Sequence, residues 1–229
     1  MQSATHIDGI RHAPVSRTVN VVRSDTVKVD SLSQSMHLMG AMMAYSPNSE
    51  IFGENEPTDY LYKVVSGSVR TYKILSDGRR QVGGFYLPGD IFGLEFADEH
   101  TLSAEAISDA KVLVVKSSAL SALAARDPSV AQQLFALTGR ELHRVQDRIL
   151  LLIKNARERV ASFLLEMAER ASENNTIELP MSRQDIADYL GLTIETVSRT
   201  LTSLETASAI EVSASSRRIV LRNRAALAA

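Results

Sequence analysis

The sequence predicts an α+β protein in three parts: a small antiparallel roll or sandwich of short strands, a long helix, and a helix-turn-helix followed by a two-stranded wing. Three observations predict it. Between Glu50 and Val115, short β segments alternate with turn residues. From Phe135 to Ala156, apolar residues recur at heptad spacing. Met181–Glu205 then holds two short helical patterns joined at a glycine.

Composition bounds the chemistry before any element is placed. The 229 residues are 45% hydrophobic and 23% charged, as in an ordinary globular protein with length for two modest domains. Cysteine is absent, which excludes disulfides, thiolate nucleophiles, cysteine-held iron–sulfur clusters and the usual structural zinc sites. No apolar run approaches the ~20 residues of a membrane span. The N-terminus lacks the apolar stretch of a secretory signal, so a cytoplasmic protein is expected, with no membrane partner. No G-x-S-x-G, phosphate loop or H-E-x-x-H is present; we expect no enzyme, no metal and no cofactor. The net charge is −2, and residues 156–229 set nine Arg against ten acids, so bulk electrostatics do not advertise a nucleic-acid partner. Locally the balance differs: from Arg217 onward there are four Arg and no acid.

Residues 1–30 carry no sustained period and are expected to form a flexible N-terminal segment. Ser31–Ala44 places Leu32, Met36, Met39 and Met43 at helical spacing. This stripe is read as adaptable packing, the other reading being sulfur ligation beside His37. The roll or sandwich follows within residues 31–126. Its strands are Tyr60–Val65, Ser68–Ile74 running into the hairpin signal Asp77-Gly78, Phe85–Leu87 ending at Pro88-Gly89-Asp90, and Ala110–Val115. Asp127-Pro128 opens a helix expected over 127–155, with proline in its first turn. Phe135, Thr138, Leu142, Val145, Ile149, Leu152 and Ala156 form its a/d seam, the pattern of a parallel homodimer. The competing reading is a core helix packed on its own strands. Leu134, Leu137, Leu151 and Ile153 lie off the seam and offer the roll a second surface.

The segment 156–229 begins with a helix near Asn155–Ala171. Ser182 is a good N-cap, paired in capping-box fashion with Asp185. Ile186, Ala187 and Leu190 give the next helix an apolar face, and Gly191 ends it. Thr193 caps a second helix that turns Val197, Leu201 and Leu204 one way and Glu195, Ser198 and Arg199 another. This is a helix-turn-helix, the unit that lays its second helix in the DNA major groove. Ala209–Val212 and Arg217–Leu221 supply the wing. Ser182, Arg183 and Gln184 suit a helix start that crosses the phosphate backbone, as do Thr193 and Thr196, with Arg217 and Arg218 in the wing.

Three stretches carry a family resemblance: LPGDIFG (87–93), RILLLIKNARERVASFL (148–164) and LPMSRQDIADYLGLTIETVSRTL (179–201). They resemble the Crp/Fnr transcription regulators, most of all the FixK-like branch. From Glu50 to the C-terminus, the resemblance implies an antiparallel β-roll of the cyclic-nucleotide-binding jelly-roll type, a dimerisation helix and a winged helix-turn-helix. It implies that Glu195, Ser198 and Arg199 read base edges, rather than Glu195 and Arg199 forming only a surface pair. Ile194 stands where cyclic-AMP-responsive members have an Arg, which implies a TTGA-type half-site read twice as an inverted repeat. It also implies an RNA polymerase contact near Ser76–Arg80, with Asp77, Arg79 and Arg80 as candidates. The family's nucleotide-binding residues are not matched: Leu94 follows Gly93, and Leu102-Ser103-Ala104 replaces Arg-Ser-Ala, although Glu95 and Ser103 remain. The iron–sulfur cysteines are missing, and the five His do not cluster. An activator working without an obligatory effector is therefore expected, with a role in low-oxygen or nitrogen-fixation control. The alternative is an unidentified effector bound in the roll.

Overall fold

A computed structural model describes residues 31–228 except 96, 152, 172–174 and 214–216, so the expected N-terminal segment 1–30 lies outside the described residues. Helix α1 (Ser31–Met39) leads into β1 (Ala41–Tyr45), β2 (Glu50–Phe52), β3 (Tyr60–Ser66), β4 (Val69–Ile74), β5 (Arg80–Tyr86), β6 (Ile91–Phe92), β7 (Ser103–Ala106) and β8 (Ala110–Lys116). A short α2 (Ser117–Ala124) precedes the long α3 (Pro128–Leu151). The C-terminal unit comprises α4 (Ala156–Ala171), β9 (Thr176–Glu178), α5 (Arg183–Leu190), α6 (Ile194–Thr206), β10 (Ile210–Val212), β11 (Arg218–Leu221) and α7 (Arg224–Ala228).

The strands before α2 form two antiparallel sheets, ordered β1-β8-β3-β6 and β2-β7-β4-β5, which close on each other as a roll. Neighbouring residues of β3 serve different cores. Leu61 faces the cluster beneath α1, α2 and α3, whereas Tyr62 and Val64 face the interior between the sheets. There Phe52, Tyr62 and Phe92 stack at 5.0–6.1 Å, and the His100 ring lies 3.7 Å above Phe52. Aromatic faces bury large apolar areas with defined geometry, so this stack fixes how the two sheets meet.

Two expectations are corrected near the termini of helices. The Met stripe does not continue through Ala44: α1 stops at Met39, and Met43 is exposed on β1. Only Leu32 and Met36 of that stripe are buried. The cause is Gly40, whose N–H donates to the Met36 carbonyl at 2.8 Å and which lies against β8. A Cβ there would stand 2.8 Å from Leu113 Cδ1, Val115 Cγ2 and the Met36 carbonyl oxygen. The chain leaves the helix at this point because the next five residues pair with β8, from Ala41 opposite Val114 to Tyr45 opposite Ala110.

Helix α3, ~36 Å long at its 24 residues, ends at Leu151 rather than near 155. Ala156 therefore opens α4 and does not extend the seam; Leu152 lies outside the described residues. The break has a local cause. Asn155 Oδ1 accepts from Glu158 N–H at 3.0 Å, and Glu158 Oε2 accepts from Asn155 N–H at 3.0 Å. That reciprocal capping box starts a new helix. Ile153, expected against the roll, sits in the turn and is 85% exposed. Leu137 and Leu134 do face the roll-side core, and Leu151 packs on the C-terminal core.

Adding a methyl at Gly40 forces the α1–β8 contact apart. Gly40→Ala is expected to destabilise the fold by about 1–3 kcal/mol, the usual cost of overpacking, as a lowered urea midpoint with unchanged slope.

Candidate nucleic-acid interface

The two helices of the reader are held by their ends. The Ser182 hydroxyl accepts from Asp185 N–H at 3.1 Å, while Asp185 Oδ2 accepts from Ser182 N–H at 2.9 Å. Gly191 closes α5 in the left-handed region, φ 64°, and its N–H donates to the Ala187 carbonyl. This conformation is nearly free of cost only for a residue without Cβ. Thr193 then caps α6 by accepting from Thr196 N–H at 3.2 Å. Behind these caps Ile186, Ala187, Leu190, Val197, Leu201 and Leu204 are all buried.

Glu195 and Arg199 consequently point to solvent from the opposite side of α6, with Ser198 half-buried between them. The Glu195 carboxyl is held below its ordinary pKa by its own backbone N–H and the Thr193 hydroxyl, with Arg199 adding a smaller pull. It is a carboxylate acceptor at neutral pH. Thr193 is exposed and Thr196 half-buried beside it. Ser182 and Gln184 are exposed at the start of α5, although one Gln184 amide hydrogen is directed at Asp188 Oδ1, 2.6 Å away. Arg183 is half-buried, with Nε unpaired. Arg217 and Arg218 are exposed at the wing, and residues 214–216 lie outside the described residues.

Arg80 is elsewhere committed. Its Nε donates to Asp188 Oδ2 at 2.8 Å and its Nη2 to Asp185 Oδ1 at 2.6 Å, so it binds α5 instead of standing free for a polymerase. Burial works against its charge, yet Asp188 and Asp185 raise its pKa above the ordinary value. Of the expected polymerase contacts, Arg79 and Asp77 remain exposed, paired with each other at 2.7 Å. Arg70, which the sequence did not single out, joins the same cluster, donating to Glu105 at 2.7 Å and to Asp185 at 2.9 Å. Nothing local marks it, because its partner lies 115 residues away.

At the positions where the family resemblance would put the partners of a cyclic nucleotide, the side chains are apolar or already paired. Leu94 packs on the core below the roll, and Leu102 leans against Gly83, where an added Cβ would be 2.5 Å from its Cδ1. An apolar side chain offers none of the charge-assisted donors that a cyclic phosphate requires. Glu95 is occupied by His100, Thr101 N–H and the Thr101 hydroxyl, and Ser103 Oγ accepts from Glu54 N–H.

A β-roll, a long helix with an exposed apolar seam and a capped helix-turn-helix with a wing define a DNA-binding regulator of the two-domain type. Residues 42–127 match the cyclic nucleotide-binding domain family and residues 158–229 the Crp-like helix-turn-helix domain. The nitrogen fixation regulation protein FixK of Azorhizobium caulinodans is 49% identical over 201 residues, covering 85% of this chain and 81% of that protein. Its namesake in Bradyrhizobium diazoefficiens is 42% identical over 179 residues, covering 76% of each chain. The solved structure of FixK2 from Bradyrhizobium japonicum aligns at a TM-score of 0.79 and 53% identity, covering 82% of this chain and 96% of that one. The chain belongs to the Crp/Fnr family of transcription regulators, in its FixK-like branch.

Ser182→Ala removes both hydroxyl bonds, the one accepted from Asp185 N–H and the one donated to Asp185 Oδ2, while leaving Asp185 the Ser182 backbone N–H and its two Arg partners. We expect a loss of about 1 kcal/mol in urea unfolding, with the reader still folded by far-UV circular dichroism.

Proposed function

We propose that the protein is a sequence-specific regulator that binds DNA as a homodimer, each copy laying α6 in the major groove of one half of an inverted repeat. The observation that carries this reading is the α6 face: an ionised Glu195 and an Arg199, one turn apart and both exposed, with Glu195 bonded to its own backbone and to Thr193. Arg can donate two hydrogen bonds to guanine O6 and N7, and a carboxylate can accept from cytosine N4. Ser198 between them supplies a hydroxyl. Ser182, Arg183, Gln184, Thr193, Thr196, Arg217 and Arg218 contact phosphates around them. The TTGA-type half-site of the Fnr and FixK branches is consistent with Ile194 preceding Glu195.

The dimer rests on α3. Phe135, Leu142, Val145 and Ile149 are 82, 59, 52 and 58% exposed in a single stripe along α3. A helix leaves such a stripe open only when another surface covers it. Thr138 completes the seam. The protein acts in the cytoplasm, without cyclic nucleotide, iron–sulfur cluster or other obligatory effector, and activates promoters of low-oxygen or nitrogen-fixation genes. The names of the FixK relatives support that role, and the filled Leu102 position supports independence from nucleotide. RNA polymerase meets the exposed Asp77–Arg79 turn.

Two measurements test this reading. In vitro selection by purified protein, with no added ligand, should return a TTGA-type palindrome. Glu195→Ala and Arg199→Ala should each relax one base pair of it by about 1–3 kcal/mol of discrimination. Unchanged specificity in both variants defeats the readout. Leu142→Asp and Ile149→Asp place a carboxylate in the apolar seam, and both should sediment as folded monomers. A persisting dimer defeats the seam assignment.

A further inference from the structure

The reader domain touches the rest of its chain in two unlike ways. Towards α3 the contact is partial. Arg148 lies 4.5 Å over the Tyr189 ring and Leu151 packs on the reader's core, but an open groove of about 850 Å³ between α3 and α4 is lined by Gly139, His143, Leu150, Leu165 and Glu169 among others. Towards the roll the fit is close. Val82 and Phe85 of β5 belong to the same core as the reader, with Phe85 5.1 Å from the Tyr189 ring and 6.1 Å from Phe163. Apolar contact of this kind is strong but does not select one orientation. The polar contacts beside it are directional. Arg80 bridges Asp185 and Asp188 on successive turns of α5, and Gln81 Nε2 donates to the Asp188 carbonyl at 2.6 Å. Arg70 ties Asp185 to Glu105 on β7. A planar guanidinium that spans two carboxylates fixes both distance and rotation of the helix bearing them.

We propose that Arg80 and Asp188 are positioning residues for DNA binding: they lock each reader to its own roll in one orientation and so set the spacing of the two half-sites that the dimer accepts. This rests on the dimeric reading above. The recognition face stays open in the locked arrangement, with Glu195 and Arg199 exposed, so the lock presents the reader and does not mask it. Two readers related by the α3 seam meet DNA about one helical turn apart only if each is held at a fixed angle. A reader free to rotate occupies the competent pose for a fraction of the time, and apparent affinity falls by that fraction.

The test uses the full-length dimer and the variants Arg80→Gln and Asp188→Asn. Neither strands a buried acid: Asp185 keeps Arg70 and Ser182, and Gln184 stays near position 188. Affinity is measured on palindromes whose spacers differ by single base pairs. The distance between readers is measured by spin labels on Ala207→Cys, an unambiguous site because the chain has no other cysteine. We expect wild type to prefer one spacer, and each variant to lose about tenfold on that spacer and little on the others, with a broadened distance distribution. Equal weakening on every spacer with an unchanged distribution marks a merely structural effect and overturns the proposal. Retained spacer preference overturns it too. A wild-type dimer indifferent to spacer overturns this inference alone, whereas a wild-type protein that sediments as a monomer overturns the dimeric reading, which separates the two failures.

Discussion

The carboxylate of Asp185 serves two structures at once. It is 2% exposed, and a buried charge persists only where every lone pair is answered. One oxygen accepts from the Ser182 backbone and hydroxyl and so begins the first helix of the reader. The other accepts from Arg70 and Arg80 of the roll. A single residue therefore couples a cap that any short helix needs to an interface that joins two domains. Asp188, one turn on, takes the second arm of Arg80, and the reader is gripped on the side away from α6.

That grip explains how a protein of net charge −2 keeps the acids of α5 off the outer face of its helix-turn-helix. Along α5 the acids face the roll and are neutralised by its arginines. What remains outward is Ser182, Gln184 and the α6 face with Arg199. The long helix is divided in the same manner. Val130 and Leu137 close the core beneath the roll, while Phe135, Leu142, Val145 and Ile149 stay open on another side. The roll matches the cyclic nucleotide-binding domain family, with Leu94 packed on the core below it and Leu102 against Gly83.

Much of this was legible in the chain. Helix caps, hairpin turns and the left-handed glycine are signals confined to four or five residues, and Ser182, Asp185, Gly191 and Thr193 behave in the structure as their spacing implied. One local signal was present and overlooked: Asn155-x-x-Glu158 has capping-box form and ends the heptad run before Ala156. Gly40 was less readable. Its role depends on Leu113 and Val115, far along the chain, crossing just above it.

The sequence by itself determined the order of elements, the apolar back of the reader and the polar face it turns outward, because these follow from side-chain period and from bonds between near neighbours. Only the tertiary structure decided that Arg80 belongs to the reader rather than to the open hairpin turn beside Arg79. It alone showed that Arg70 matters at all. Their partners stand 105 to 115 residues away, and an ion pair at that separation leaves no periodicity behind. It exists because two domains happen to meet there.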